Sequence, residues 1–252
     1  MVPGMSAITY FDDADGTRIA LSAAEVGTWS AAVASLLTSE CGLSAGGRVG
    51  VLLPPHWQTA VVLLGAWSAR MEVSFQGWGA AGLSSPVAGR PLDATFVESR
   101  RVGSWLDDVP AGRHQFALFG SPPPDGYRDF VASVRGHLGA DAPAWAVDGR
   151  EVAASGGVTF GEYGALAVEV ARSRGIARGD RVLIDVSASD EPLFWLMGPL
   201  SVGASVVLCA NLDPARVPAR VAAEGVTKVF APSSVRRSNE DDHAMEAGRP
   251  GR

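Results

Sequence analysis

The chain has 252 residues, of which 47% are hydrophobic and 19% charged, a globular composition and not a disordered one. That length allows one large domain or two sub-domains with real cores. The net charge is −6, Lys228 is the only lysine and no block of basic residues occurs. Nucleic-acid binding is therefore excluded, because neutralising phosphates needs clustered cations.

Two cysteines, Cys41 and Cys209, lie far apart and form no CxxC pair. They read as thiols of a reducing, cytoplasmic compartment and not as a disulfide framework. The start, MVPGMSAITYFDDADG, has neither a basic head nor an apolar stretch, so no signal peptide is expected. Pro192–Ala210 is 19 residues without a charge. Gly198, Pro199 and Gly203 interrupt it and its second half is β-branched, so it reads as helix plus strand, with no membrane contact.

Residues 1–16 are an N-terminal segment and 17–120 a first α/β sub-domain. Thr17–Leu21 has strand character, and Ser22 with Glu25 three positions on forms a capping box for a helix over Ala23–Cys41. Val26, Trp29, Val33, Leu36 and Leu37 share one side of it, and Gly42 ends it. A strand over Arg48–Leu53, the break at Pro54–Pro55, an apolar helix over Gln58–Ser68 and a strand over Met71–Phe75 follow. Gln76–Gly89 is small-residue loop, with strands expected at Asp93–Val97 and Gln115–Phe119.

Ser121–Pro124 is the expected boundary between halves. Asp129–His137 is a short helix, and 121–157 is linker. The second sub-domain, 158–235, holds the clearest pattern, from Gly175 to Pro232. There a strand at Arg181–Val186 precedes a helix at Glu191–Val202 and a strand at Ala204–Cys209. Asp213–Pro214, as N-cap and first helical residue, opens a helix, and Val226–Ala231 is the last strand. Residues 236–252 are polar and aperiodic and read as a disordered tail.

The pattern occurs twice. A shift of 133 residues places Gly42, Gly46, Arg48, Leu63, Gly65 and Val73 on Gly175, Gly179, Arg181, Leu196, Gly198 and Val206. Glu25 meets Glu162 only at 137, and the four extra residues fall in a helix, where about one turn of 3.6 residues restores the inward face. The fold class is therefore α/β, with two pseudo-repeated sub-domains, mainly parallel sheets and flanking helices.

The stretches LSAAEVGTWSAAVASLLTSECGLSAGGRVGVLLPPHWQTAVVLLGAWSA and GDRVLIDVSASDEPLFWLMGPLSVGASVVLCANLDPARVPARVAAEGVTKVFAPSS resemble the adenylate-forming superfamily. That superfamily includes acyl-CoA synthetases, luciferases and peptide-synthetase adenylation domains. The likeness covers Thr17–Ser234, follows a short actinobacterial branch and rests on scaffold motifs. It implies attack of a carboxylate on the α-phosphate of ATP, with donors around the phosphates.

The resemblance places the phosphate loop, rich in hydroxyls and ending in lysine in the family, at 145–158, WAVDGREVAASGGV. Gly149, Arg150, Ser155, Gly156 and Gly157 are then the expected cofactor-binding residues for ATP or AMP. Ser155 is the single hydroxyl, Arg150 the single cation, and no lysine is present. The family's adenine and ribose motifs and its catalytic lysine would lie beyond this sequence. The expectation is a shortened, catalytically degenerate relative that binds an adenine nucleotide, an acyl group or a partner protein between its halves. One alternative is an acyl-adenylate or acyl-CoA ligase working with a separate chain, and another is a structural or regulatory module. No catalytic residue and no metal ligand is assigned.

Other residues carry a choice. His56 follows a strand, where open α/β sheets place ligands, or else caps the helix after it. Asp190 and Glu191 are paired carboxylates or helix-start residues. Asp185 is a buried carboxylate or a strand end facing water. Trp29, Trp57, Trp67 and Trp195 read as core, and Trp78 and Trp105 as half-buried packing or pocket lining. His114, His137 and His243 have no metal spacing.

Overall fold

The computed structural model describes residues 6–77, 91–104, 109–143 and 146–231. In chain order the first half holds β1 (Ile8–Asp12), β2 (Thr17–Leu21), α1 (Ala23–Ser35), β3 (Arg48–Leu52), α2 (Trp57–Ser68), β4 (Glu72–Phe75), β5 (Leu92–Glu98) and β6 (Gly112–Leu118). Next come β7 (Arg128–Asp129), α3 (Phe130–Arg135), β8 (Val152–Ala154), β9 (Val158–Thr159) and α4 (Phe160–Ser173). The last part has β10 (Arg181–Asp185), α5 (Gly198–Ser201), β11 (Ser205–Ala210), α6 (Val217–Glu224) and β12 (Lys228–Phe230). The tail from 236, Trp78, Trp105, His243 and most of the Gln76–Gly89 loop lie outside the described residues.

Two sheets form, a seven-stranded one ordered β7-β6-β5-β3-β4-β8-β9 and a five-stranded one ordered β12-β10-β11-β1-β2. Every pairing is parallel except β1 with β2 and β8 with β9. The order β12-β10-β11-β1-β2 repeats β5-β3-β4-β8-β9 in sequence and in direction, so the two halves share one topology.

The hairpins are exchanged between the halves. β1 and β2 come first in the chain yet complete the sheet of the second half, with Ile8 opposite Val206. β8 ends just before the second half and β9 opens it, yet both complete the first sheet, with Val73 opposite Ala154. Sheet membership therefore does not follow the linear boundaries at 17–120 and 158–235. Within residues 1–16, read as a plain N-terminal segment, Ile8–Asp12 is a strand, and the chain is buried over Ala7–Tyr10.

Matched positions do matched work. Ser22 with Glu25 and Thr159 with Glu162 both close capping boxes, at the starts of α1 and α4. The four extra residues of the first half fall where α1 runs on into a wide π-helical turn, Leu36–Glu40. Gly65 of α2 lies so close to α1 that a Cβ there would sit 2.6 Å from Val33 Cβ and 2.7 Å from the Ser30 carbonyl oxygen. Gly198 repeats this against α4, where a Cβ would sit 3.1 Å from Val170 Cγ1. Both glycines permit close helix packing that any larger side chain would force apart.

One continuous apolar core takes Val49 and Val51 of β3, Val182 and Ile184 of β10, and the inner faces of α1 and α2. Strand alternation sends Leu183, Val207 and Cys209 to the other face of the five-stranded sheet, where Val221 of α6 packs on them. Cys41 and Cys209 are buried free thiols. Arg181, buried at the start of β10, donates to the Ser6 carbonyl at 2.9 Å, to Thr9 Oγ1 at 2.8 Å and to Glu224 at 2.7 Å. One guanidinium thereby ties β1 and α6 to β10. Pro192–Ala210 is a helical segment followed by strand β11, and among the described residues no helix is long and apolar enough to cross a membrane.

Candidate functional site

The C-terminal ends of β1, β3, β5, β6, β10 and β11 converge on one cleft of about 1000 Å³. Parallel strands turn into loops there, and the backbone leaves a crevice that loop side chains line, the usual ligand position in open α/β sheets. Pro54, Pro55 and His56 follow β3, Glu98 ends β5 and Arg100 follows it, and Phe119 follows β6. Across from them stand Asp185–Asp190 from the end of β10 on, Ala210–Leu212 from the end of β11 on, and Tyr10, Asp12, Asp15 and Thr17 from the first hairpin.

His56 is the N-cap of α2, its Nδ1 accepting from the Gln58 amide at 3.1 Å. That bond puts the ring hydrogen on Nε2. Burial pushes its pKa down to about 3, so the ring stays neutral at ordinary pH. Tyr10 and Phe119 meet it edge-on, at 4.2 and 4.5 Å between ring centres. The Tyr10 hydroxyl titrates well above the usual phenol range, through burial first and then the nearby Asp12 and Asp15 carboxylates. The three rings form an uncharged aromatic shelf.

Carboxylates surround the shelf. Asp12 Oδ1 accepts from Asn211 Nδ2 at 2.7 Å and from the Ala14 amide at 2.9 Å. Asp15 accepts from the Thr17 amide, and its pKa is lowered by hydrogen bonds from Thr17. Asp185, only 6% exposed, accepts on Oδ1 from both the amide and the hydroxyl of Ser187. It is thus a buried carboxylate at a strand end. Arg100, an exposed side chain, is the one cationic residue among the described residues of the lining and ion-pairs with Glu98.

Two lining residues are conformationally strained. Phe119 has φ +61° and Asn211 φ +48°. A bulky aromatic rarely occupies the left-handed region, and holding it there costs about 1–3 kcal/mol. Such strain collects where function fixes a side chain.

The expected phosphate-loop residues do not come together. Gly149 and Arg150 sit at the open end of the β8–β9 hairpin, where the Gly161 amide donates to the Gly149 carbonyl at 2.8 Å. Ser155, Gly156 and Gly157 form the turn at its closed end, with φ +87° and +83° at the two glycines. At about 3.3 Å per strand residue, Arg150 and Ser155 lie on the order of 15 Å apart. Arg150 is 91% exposed and its guanidinium is paired with Asp148 at 2.8 Å. None of the five lines the large cleft. Gly156 and Gly157 border a separate open groove of about 740 Å³ along α4, which carries Glu162 and Glu169.

The remaining candidates resolve into structure. Asp190 accepts Trp195 Nε1–H on its carbonyl at 3.0 Å, and the Glu191 carboxyl is raised chiefly by burial. His137 bonds Ser35 through Nδ1 at 2.9 Å and Glu40 through Nε2 at 2.8 Å. Among the described residues no His, Cys, Asp and Glu group could hold a metal. Trp67 and Trp195 are buried, and Trp29 and Trp57 pack on the core. Sequence reading missed Tyr10, Asp12, Asp15, Glu98, Phe119 and Asn211 as cleft residues. The available signal was position, since each lies at or just past a strand of the parallel pattern or in the first hairpin.

No family model matches the chain. A TIGR03089 family protein of Mycobacterium tuberculosis (strain ATCC 25618 / H37Rv) is 35% identical over 240 residues, covering 88% of this chain and 90% of that protein. Among solved structures, the N-terminal domain of FACL13 from Mycobacterium tuberculosis matches with TM-score 0.66 at 16% identity, over 91% of this chain and 59% of its own. Brucella canis acyl-CoA synthetase matches with TM-score 0.67 at 21% identity, over 91% and 45%. The anthranilate CoA ligase AuaEII, in complex with anthranoyl-AMP, matches with TM-score 0.64 at 16% identity, over 90% and 46%. This chain spans about half the length of these solved structures. The fold is that of the N-terminal part of the adenylate-forming acyl-CoA synthetases, and the chain belongs to the TIGR03089 family.

Proposed function

We propose that this protein is a catalytically degenerate relative of the adenylate-forming enzymes, and that it binds a small organic ligand in the cleft between its two sheets. One observation carries the reading. The strand ends of both sheets converge on that cleft, while the residues that would grip a triphosphate are split between opposite ends of a hairpin. With Arg150 satisfied by Asp148, no free cation of the loop faces a phosphate. The matched spacings and matched strand orders further support descent of the halves from one duplicated unit, and the two unpaired thiols support a cytoplasmic setting.

Isothermal titration of the full chain with ATP, AMP and an acyl-CoA, followed by thermal shift with small organic acids and amines, tests the reading. At least one small ligand should bind, and its binding should survive Arg150→Ala and Ser155→Ala. Neither heat nor stabilisation with any of them removes it, and loss of binding in R150A moves the site to the loop. No pyrophosphate should be released from ATP with a panel of carboxylic acids.

A second reading rests on the share of the solved structures that this chain spans. In it the protein is an AMP-dependent acyl-adenylate or acyl-CoA ligase that works with a separate chain. Pyrophosphate release that appears only on adding cell extract would favour it. The exposed Leu166 and Val168 of α4 suit a third reading, a protein-interaction module, and co-purification from native lysate tests that one.

A further inference from the structure

The internal repeat supplies a reference for the outer edge of the second sheet. Phe96 of β5 lies opposite Val51, and Phe230 of β12 lies opposite Ile184, which matches Val51 in the 133-residue shift. The two phenylalanines are therefore counterparts. Phe96 is fully buried, with Phe116 of β6 stacked on it at 4.9 Å and Phe130 of α3 edge-on at 5.9 Å. Arg128 stands over Phe116 at 4.9 Å, and Glu40 answers its charge. Phe230, by contrast, is only half-buried. β12 pairs with β10 on one side and, among the described residues, with no strand on the other. Arg174 stands over Phe230 at 5.2 Å and over Phe194 at 4.4 Å, and among the described residues no carboxylate pairs with it. The helices repeat the contrast. His137, just after α3, bonds Ser35, which lies one turn from the buried Ala31 of α1. Their counterparts on α4 at the 137-residue shift, Arg172 and Val168, are exposed.

We propose that the β12 edge receives a strand of another polypeptide, laid parallel to β12 as β6 is to β5, with an aromatic side chain against Phe230 and an acidic one against Arg174. An open edge strand is a template for pairing, and the chemistry around this one restricts what can pair. A second ring completes the stack that Phe116 completes in the first half. Arg174 favours an acidic segment, as does Lys228 at the start of β12, whose nearest carboxylate, Asp180, is 3.9 Å away. Residues 232–252 carry no Phe, Trp or Tyr, so the ring comes from outside them. Arg174, Phe194 and Phe230 do not line the large cleft. The inference therefore rests on the protein-interaction reading, gives it a surface and a partner chemistry, and is independent of ligand binding in the cleft.

The test uses the full chain and three peptides copied from residues 109–119, the β6 strand that fills the counterpart edge. One has the native sequence, one carries His114→Asp, which sets an acid on the same face as Phe116, and one carries H114D with Phe116→Ser. By isothermal titration the H114D peptide should bind about threefold or more tighter than the native one and about tenfold or more tighter than the serine one. Its binding should shift the backbone amides of Thr227–Ala231. Arg174→Gln should erase the preference for the acid, and Phe230→Ser should weaken both Phe-bearing peptides. If F230S does not fold, the amide shifts and R174Q decide. No binding by either Phe-bearing peptide, or shifts at β5 in place of β12, overturns the surface. Equal binding of the serine peptide overturns the aromatic contact, and an acid preference that survives in R174Q overturns the role of Arg174. A concentration-dependent dimer that R174Q abolishes gives the edge to a second copy and overturns the foreign partner. A protein that co-purifies equally with R174Q and with the unmodified chain overturns this surface and leaves the interaction reading standing.

Discussion

His56 caps α2 through Nδ1 and closes the aromatic shelf of the cleft with the rest of its ring. Its folded pKa of about 3 lies below the unfolded value near 6.5, so between those limits the unfolded chain binds the extra proton. The stability this residue contributes is complete above about pH 6.5 and is lost as pH falls through the window toward 3, with a slope of at most ~1.4 kcal/mol per pH unit. His56→Asn retains a good N-cap and has no such proton to bind. Denaturant midpoints measured from pH 7 to pH 4 should fall less steeply in H56N than in the unmodified protein, and parallel curves would contradict the assignment. From the sequence, the cap and the strand-end location were both legible for this residue. Its neutrality was not, because that follows from Tyr10 and Phe119, which lie 46 and 63 residues away in the chain and reach it only through sheet topology.

Helix pairs show how far local pattern reaches. The capping residues Ser22, Glu25 and Asp213, the turn glycines and most strand centres could be read directly, because each is fixed by neighbours within a few positions. Strands β1, β8 and β9 could not, since they are two to five residues long and draw their stability from the sheet they join. The expected phosphate loop shows the consequence. A glycine-rich run looks like one loop in sequence, yet the strand inside it sends its two ends apart. Gly65 gives the element-scale test. A methyl there would overlap Val33 and the Ser30 carbonyl, and backbone cannot swing aside as a flexible side chain can. Gly65→Ala should cost about 1–3 kcal/mol in urea unfolding, from pushing α1 and α2 apart. A neutral effect would show that the two helices do not pack as tightly as described.

At the scale of the whole molecule, the exchanged hairpins make the halves interdependent. β1 and β2 belong to the sheet of the half that follows them, and Arg181 fastens that sheet to Ser6 and Thr9. Fragments divided near 141–143 would each lose a hairpin that their own sheet needs and keep one that it cannot use. Expressed alone, each fragment should fail to show a cooperative thermal transition, and co-expressed they should associate and regain one. A cooperative transition in either isolated half would contradict the exchange. The duplicated pattern was visible in the 133-residue shift, whereas the exchange was not, because a repeat in sequence fixes what each unit looks like and leaves open which neighbour completes it. The same exchange builds the cleft, by setting the first hairpin's Asp12 and Asp15 opposite the strand ends of the other sheet. Backbone-amide NMR of the full chain, titrated with the tightest-binding small ligand of the thermal-shift panel and separately with AMP, tests the central claim most directly. The account predicts that the small ligand moves the resonances of His56, Phe119, Asp185–Asp190 and Asn211 together and leaves Arg150 and Ser155–Gly157 in place. Shifts confined to Arg150 and Ser155–Gly157, with either compound, would contradict it.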